Sequence, residues 1–217
     1  KEYRRQRQMC IRDSAYAKPI LDFIKRYGSK ATSILLLIGL YRISDVVLGV
    51  MANVFYIEKG FSVAEIATYS KFFGTIATIV GGVIGGLAAV HLGVMRSLFI
   101  GALISALSNL LFAWLALISA DVKILAFVIT ADNIASGFAG ATFIVYLSAL
   151  TSIKFTATQY ALFSSVMLFL PKLIAGYAGG FVNLFGYSTF FTFTAIIGVP
   201  VLFLIIWINK TVKISKK

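Results

Sequence analysis

Five charged side chains lie far from the ends of long apolar runs in this 217-residue chain: Arg42, Asp45, Lys71, Asp132 and Lys172. Placing a charge at the centre of a membrane helix costs roughly 2.5–3.5 kcal/mol. Charged residues at such depth usually face a bundle interior or a water-filled cavity, where they bind substrate, move protons or pair with one another. The chemistry that they indicate is therefore that of a transport pathway or of buried ion pairs.

The composition places these residues in a membrane protein. The chain is 59% hydrophobic and 13% charged, with a mean hydropathy of +0.93. A soluble domain carries about 25% charged residues and could not hide this much apolar surface. We therefore expect a protein that crosses the bilayer several times.

Six apolar runs are long enough to cross a bilayer, since a membrane helix needs about 20 residues. Runs such as 34–40 and 201–206 are apolar on every side, which excludes the alternating pattern of a β-barrel. We therefore predict an all-α fold between a basic segment (1–33) and a basic tail (209–217). The predicted spans are 34–57, 63–90, 97–119, 122–150, 158–181 and 188–208.

The connections between the runs are short, so successive helices must be antiparallel neighbours. Gly60, Gly93 and Gly186 lie in three of these connections. Glycine adopts positive φ without a steric penalty, so we expect all three to serve as turn residues.

The basic residues predict the orientation. Fifteen of the 20 lysines and arginines fall on the side that holds both termini, whereas Lys59 and Lys123 fall on the other side. Cytoplasmic loops carry the excess of positive charge, so both termini are predicted to be cytoplasmic. The formal net charge of +12 then meets anionic lipid headgroups, and we expect no nucleic-acid partner.

The aspartates lie close to the middle of the membrane. At a rise of about 1.5 Å per residue, Asp45 is roughly 16 Å from the inner end of its span and Asp132 roughly 13 Å from the outer end. Lys172 lies at a depth similar to that of Asp132, and Lys71 lies about 12 Å from its outer end.

Helical spacing places further polar residues beside the two aspartates. Asn53 shares a face with Asp45, while Asn133 directly follows Asp132. Two interpretations stay open for each carboxylate: a structural ion pair, Asp45 with Arg42 and Asp132 with Lys172, or a role in handling substrate or protons.

Glycines indicate where helices pack closely. Gly82 and Gly86 on the second run, and Gly176 and Gly180 on the fifth, are spaced by four residues, which brings small side chains onto one face. Pro171 lacks a backbone donor and is predicted to kink the fifth helix, with a possible hinge role.

No motif for enzyme chemistry is found. The chain contains no P-loop, GxSxG or HExxH pattern, and His91 is expected to be a solvated loop residue. Cys10 is the single cysteine, so an internal disulfide is excluded and a cysteine metal site is not expected. We expect no enzyme activity, no cofactor and no metal. Residues 1–14 resemble translated sequencing-adapter sequence, and we expect them not to be native.

Several segments resemble the muropeptide permeases of the AmpG type within the major facilitator superfamily. YRISDVVLGVMANVFYIEKGFSVAEIATYSKFFGTIATIVGGVIGG (41–86) resembles their seventh and eighth helices, and DNIASGFAGATF (132–143) their tenth. FTATQYALFSS (155–165) resembles the entry to the eleventh helix and GYSTFF (186–191) the start of the twelfth. TATQYAL is the most family-specific of these strings, and the resemblance covers about residues 30–208.

The resemblance implies the C-terminal half of a twelve-helix, proton-coupled importer of anhydro-muropeptides in a bacterial inner membrane. Such a chain would need the missing N-terminal six-helix half as its partner. The substrate cavity would lie between the halves, near the midplane. Arg42, Asp45, Asn53, Lys71, Asp132, Asn133 and Lys172 are the candidates for the substrate and proton pathway on this half.

One loop departs from the superfamily pattern. HLGVMRS (91–97) keeps Gly93 and Arg96 but has no acidic partner, which weakens the case for a conformational latch there. The related acetyl-CoA transporters share several of these features, so another cargo stays open. A membrane scaffold with purely structural charges is the alternative outside transport.

Overall fold

The computed structural model describes residues 17–211. Within that range six helices are long and apolar enough to cross a membrane, which confirms the all-α prediction of six spans. The hypotheses on residues 1–14, including Cys10, and on the tail beyond Thr211 lie outside the described residues.

The described residues form nine α-helices, two 3₁₀ turns and one π-helical segment. The 3₁₀ turns are Gly28–Lys30 and Ile153–Phe155, and the π-helical segment is Ala67–Phe73. The α-helices are α1 Lys18–Tyr27, α2 Ala31–Leu40, α3 Ile43–Glu58, α4 Val63–Ile66, α5 Gly74–His91, α6 Val94–Leu117, α7 Val122–Leu150, α8 Thr156–Ala175 and α9 Ala178–Thr211.

The first span is interrupted, which the sequence did not indicate. Helix α2 ends at Leu40 and α3 begins at Ile43, with no proline or glycine between them. Arg42 adopts φ −95° and ψ 9°. The two residues at the break point into the bundle: the Tyr41 hydroxyl donates to the Leu98 carbonyl oxygen at 3.2 Å, and Arg42 reaches α7. Side-chain contacts with other helices thus accompany the local loss of helical geometry.

The last two spans are also divided differently from the prediction. Helix α8 ends at Ala175, and α9 follows after Gly176 and Tyr177. Gly186 has φ 77° and ψ 168° and separates a short piece of α9, 178–185, from the sixth span. Gly60 and Gly93 have φ of 96° and 86°, so the prediction of positive φ at all three turn glycines is confirmed.

The most extensive contact between helices is that of α5 with α7, followed by those of α6 with α9 and α6 with α7. Glycines permit the first of these approaches. An added Cβ on Gly81 would overlap the Ile134 carbonyl group, and one on Gly85 would lie 2.5 Å from the Phe138 carbonyl oxygen. Gly137 meets the Thr78 carbonyl group from the other side. Backbones can approach this closely only where side chains are absent.

The contact face differs by one residue from the predicted one. Gly82 would place a Cβ 3.8 Å from the Gly137 carbonyl oxygen, in ordinary contact, and Gly86 faces open space among the described residues. Because α5 has glycine pairs at 81–82 and 85–86, a spacing of four fits either face, and the packing against α7 selects Gly81 and Gly85.

Within residues 17–211, Pro171, Gly176 and Gly180 of the fifth span take no part in a close helix contact like that of α5 with α7. Pro171 is buried within α8, and the helix continues past it to Ala175. A Cβ on Gly176 would meet only the end of the preceding helix α8, 3.3 Å from the Leu173 carbonyl oxygen. One on Gly180 would meet nothing within 4 Å among the described residues. The interruption of the fifth span lies at Gly176 and Tyr177, several residues beyond the proline.

Candidate functional site

A polar cavity of about 260 Å³ lies between α3, the π-helical segment and α7. Its lining is notable for an apolar bundle, because it combines charged, amide and hydroxyl side chains. The lining residues are Arg42, Asp45, Val46, Leu48, Gly49, Ala52, Asn53, Tyr56, Ser70, Asp132, Asn133 and Ser136.

Arg42 and Asp45 form an ion pair at the start of α3. Ser136 of α7 joins the pair: the Arg42 Nη2 donates to its hydroxyl oxygen at 3.3 Å, and that hydroxyl donates to the Asp45 Oδ2 at 3.1 Å. Arg42 Nη1 also donates to the Ser136 carbonyl oxygen at 3.3 Å. A charge pair with this many hydrogen bonds is largely neutralised within the protein.

Asp132 lies on α7, one turn before Ser136, and has a different environment. Its Oδ1 accepts a hydrogen bond from the Ser108 hydroxyl of α6 at 2.9 Å. No lysine or arginine nitrogen of residues 17–211 lies within ion-pair distance of this carboxylate. Asp132 is therefore a partly buried acid that faces the cavity without a paired cation.

Asn133 is held by the neighbouring helix. Its Oδ1 accepts from the Thr78 hydroxyl at 2.9 Å, and its Nδ2 donates to the Ile129 carbonyl oxygen at 2.8 Å. An added Cβ on Gly74 would lie 3.2 Å from that Nδ2, so the glycine leaves space for the amide. Asn133 thus lines the cavity while it links α7 to α5.

The predicted pair of Asp132 with Lys172 is not formed, which corrects that expectation. Lys172 is exposed on α8, and α8 packs mainly against α2 and α3. A similar depth in the membrane therefore did not bring the two side chains together, because they project from helices that are not close neighbours at this level. Lys172 is absent from the described lining of the cavity.

The remaining predicted residues lie at the margin of the cavity. Asn53 is exposed on α3 and contributes to the lining. Lys71 is exposed on the π-helical segment, next to Ser70, which does line the cavity. π-Helical turns are uncommon and occur frequently at functional sites.

Comparison with known proteins gives relatives along most of the chain. "Putative transporter AmpG 4" of Rickettsia conorii is 35% identical over 201 residues, which is 93% of this chain and 48% of the relative. AmpG 1 of the same organism is 34% identical over 92% of this chain, and AmpG 3 of Rickettsia prowazekii is 33% identical over 87%.

The chain is homologous to proteins named as putative AmpG transporters. It spans about half the length of the curated relatives that it matches. No protein-family profile matches the chain. With six helical segments that can cross a membrane it is a multi-pass membrane protein, and its coverage of these relatives is consistent with half of a major facilitator.

Several polar residues in and around the cavity were not among the predicted site residues. Ser108 and Thr78 hold Asp132 and Asn133 from neighbouring helices, and Ser136 bridges Arg42 and Asp45. The sequence does place Ser136 beside the site, because it lies four residues after Asp132 on one helical face. Ser108 and Thr78 carry no such signal, since hydroxyl side chains in membrane helices commonly bond to their own backbone.

A second polar cluster lies on the opposite side of α3. Asn109 is buried on α6, and its Nδ2 donates to the Ser44 hydroxyl oxygen at 2.7 Å and to the Thr194 hydroxyl oxygen at 3.1 Å. The Ser44 hydroxyl in turn donates to the Thr194 carbonyl oxygen at 2.7 Å. This cluster links α3 to α6 and α9, so it fixes the position of the helix that carries Arg42 and Asp45.

Proposed function

We propose that the complete protein imports anhydro-muropeptides together with protons across a bacterial inner membrane. In this proposal the chain is the C-terminal half, with both termini cytoplasmic, and the cavity is one wall of the substrate site. The homology to AmpG-type transporters supports the transport class. The charge distribution of the sequence supports the orientation.

The single observation that carries the proposal is the polar cavity with its two unlike carboxylates. Asp45 is neutralised by Arg42, whereas Asp132 has a serine donor and no paired cation among residues 17–211. A carboxylate at this depth is expensive to keep charged, and this favours uptake of a proton. Asp132 is therefore our candidate for the proton carrier.

Arg42 is the candidate for binding a carboxylate of the cargo. Its guanidinium contacts both Asp45 and Ser136, so an incoming carboxylate would compete with them for the hydrogen-bond donors of Arg42. Asn53 and Ser70 add amide and hydroxyl groups that suit a sugar or a peptide. Binding would then weaken the Arg42–Asp45 pair.

Coupling follows from the relation between these two events. Proton uptake at Asp132 removes a negative charge from the cavity, and cargo binding at Arg42 supplies one. Both steps change the electrostatic balance across the contact between α3 and α7. A transporter whose two halves rock around a central site can use such a change to favour one conformation.

The test is uptake by the complete gene in cells that lack their own permease. We expect accumulation of labelled anhydro-muropeptide that a protonophore abolishes. The test variant is Asp132→Asn, which should lose uptake. Asp121→Asn is its matched control, because Asp121 lies outside the cavity lining and caps the start of α7, where it accepts a hydrogen bond from the Lys123 backbone amide at 2.7 Å.

Three results would contradict parts of the proposal. Normal surface expression with no uptake would favour the scaffold interpretation. Uptake that CoA esters inhibit more strongly than muropeptides do would assign another cargo. Uptake that is insensitive to the protonophore would exclude the proton as the coupling ion.

A further inference from the structure

Helix α1 is fixed across one end of the bundle by a set of hydrogen bonds. Arg26 donates from Nη1 to the Leu150 carbonyl oxygen at the end of α7, and from Nη2 to the Gln159 Oε1 of α8, each at 3.0 Å. The Gln159 Nε2 donates to the Pro19 carbonyl oxygen at 2.9 Å and to the Asp22 Oδ2 at 3.1 Å. Three residues on one side of α1 thus contact one buried glutamine.

The same end of the bundle also receives the turn after α1. Lys30 donates to the carbonyl oxygen of Thr211 at the end of α9. Gly28 has φ 54°, which separates the direction of α1 from that of α2. The ends of α7 and α9 and the start of α8 thus lie together at this end of the bundle, and α1 packs against them.

The contacts divide the circumference of α1 into sectors. Pro19 and Phe23 are buried, and Phe23 packs edge-on against Phe163 of α8, with ring centroids 5.0 Å apart. Asp22 and Arg26 form the polar contact with Gln159 and pair with each other at 3.0 Å. These two sectors face the bundle and leave the rest of the helix uncovered.

The uncovered part is apolar on one side and basic on the other. Ile20, Leu21 and Ile24 are 46%, 52% and 46% exposed. At 100° per residue they occupy one continuous sector, and the next sector holds the exposed Lys18 and Lys25. Because Arg26 and Asp22 neutralise each other, the exposed charge of α1 comes from the two lysines.

We propose that this surface of α1 binds anionic phospholipid headgroups, with its apolar sector in the outer part of the acyl chains. An interfacial helix has this arrangement of apolar and basic sectors. Anionic lipid is enriched on the cytoplasmic leaflet, and each lysine near such a surface strengthens binding roughly fivefold at low salt. The inference rests on the proposed cytoplasmic orientation of the termini and is independent of the cargo and of the coupling ion.

The test measures lipid contact at α1 in the full 217-residue chain. Cys10→Ser removes the single thiol of the sequence, and a fluorophore is attached through Ile24→Cys. The chain is reconstituted into vesicles of phosphatidylcholine, with or without phosphatidylglycerol, that contain a doxyl-labelled lipid as quencher. We expect quenching at residue 24 that increases when phosphatidylglycerol is present.

Two further variants separate charge from general membrane contact. In the K18Q/K25Q background we expect the increase with phosphatidylglycerol to disappear, whereas a probe at Ile79→Cys, an exposed position of α5, should be quenched equally in all samples. Both lysines are exposed, so these substitutions should leave the fold intact. The same increase with and without the lysines would overturn the proposal.

The competing occupant is the other half of the transporter. In the complete permease, a residue-24 probe that stays quenched by doxyl lipid supports the lipid surface. A probe that becomes shielded there would show that the other half covers the apolar sector, and the proposal would be wrong.

Discussion

Asp45 and Asp132 face the same cavity from neighbouring helices, yet their surroundings differ. Asp45 has Arg42 three residues before it on its own chain and Ser136 opposite. Asp132 has Ser108 as donor and no cation in pairing distance within residues 17–211. Of two carboxylates at similar depth, one is thus paired with an arginine (the closed pair) and the other has no cationic partner (the open acid). The position of the arginine decides this difference.

The largest effect is expected at the closed pair. Arg42→Ala leaves Asp45 charged and unpaired, and breaking a buried pair in this way costs about 3–5 kcal/mol. We expect this loss in the free energy of unfolding, measured in mixed micelles. The double variant Arg42→Gln/Asp45→Asn should recover most of the stability, and equal losses in both variants would contradict the comparison.

The open acid should be sensitive in function and tolerant in stability. Asp132→Asn keeps the shape and the Ser108 contact but cannot take up a proton. In the complete permease we expect uptake to fall about tenfold or more, equivalent to roughly 1.4 kcal/mol. The free energy of unfolding should change by less than about 1 kcal/mol. A large loss of stability with normal uptake would make Asp132 the structural residue.

A smaller effect distinguishes the two serines. Ser136→Ala removes the hydroxyl that accepts from Arg42 and donates to Asp45. Hydrogen bonds to charged groups contribute about 1.5–3 kcal/mol. We expect Ser136→Ala to lower the unfolding free energy by this amount and to lower it more than Ser108→Ala does. The opposite order would show that Asp132 depends on its donor more than the ion pair does.

The smallest effect is expected at Lys172. Since it is exposed and is not within ion-pair distance of Asp132, Lys172→Gln should change the unfolding free energy by less than about 0.5 kcal/mol. A double-mutant cycle with Asp132→Asn should give no coupling energy beyond error. A measurable coupling energy would show that Asp132 and Lys172 do interact, as the sequence suggested.

Much of the cavity could be predicted from the sequence. Charged and amide residues within apolar runs are rare enough to be noticed, and Arg42, Asp45, Asn53, Asp132 and Asn133 all line the cavity. The three-residue spacing of Arg42 and Asp45 on one helix also indicated their pairing. These features are local, because a helix of known period places its own residues on known faces.

Two of the errors concern relations between helices. Lys172 matches Asp132 in depth, but α8 packs mainly on α2 and α3. Gly82 and Gly86 fit a packing face as well as Gly81 and Gly85 do, and only the contact with α7 distinguishes them. Depth and periodicity carry no information on the rotation of one helix against another.

The sequence by itself determined the membrane location, the six spans and the polar residues buried in them, since these depend on hydropathy and length along one helix. Only the tertiary structure decided which carboxylate is neutralised, where the first and fifth spans are interrupted, and how α1 lies across the end of the bundle. Those features depend on side chains that reach from one helix to another, so they exist only once the helices have packed.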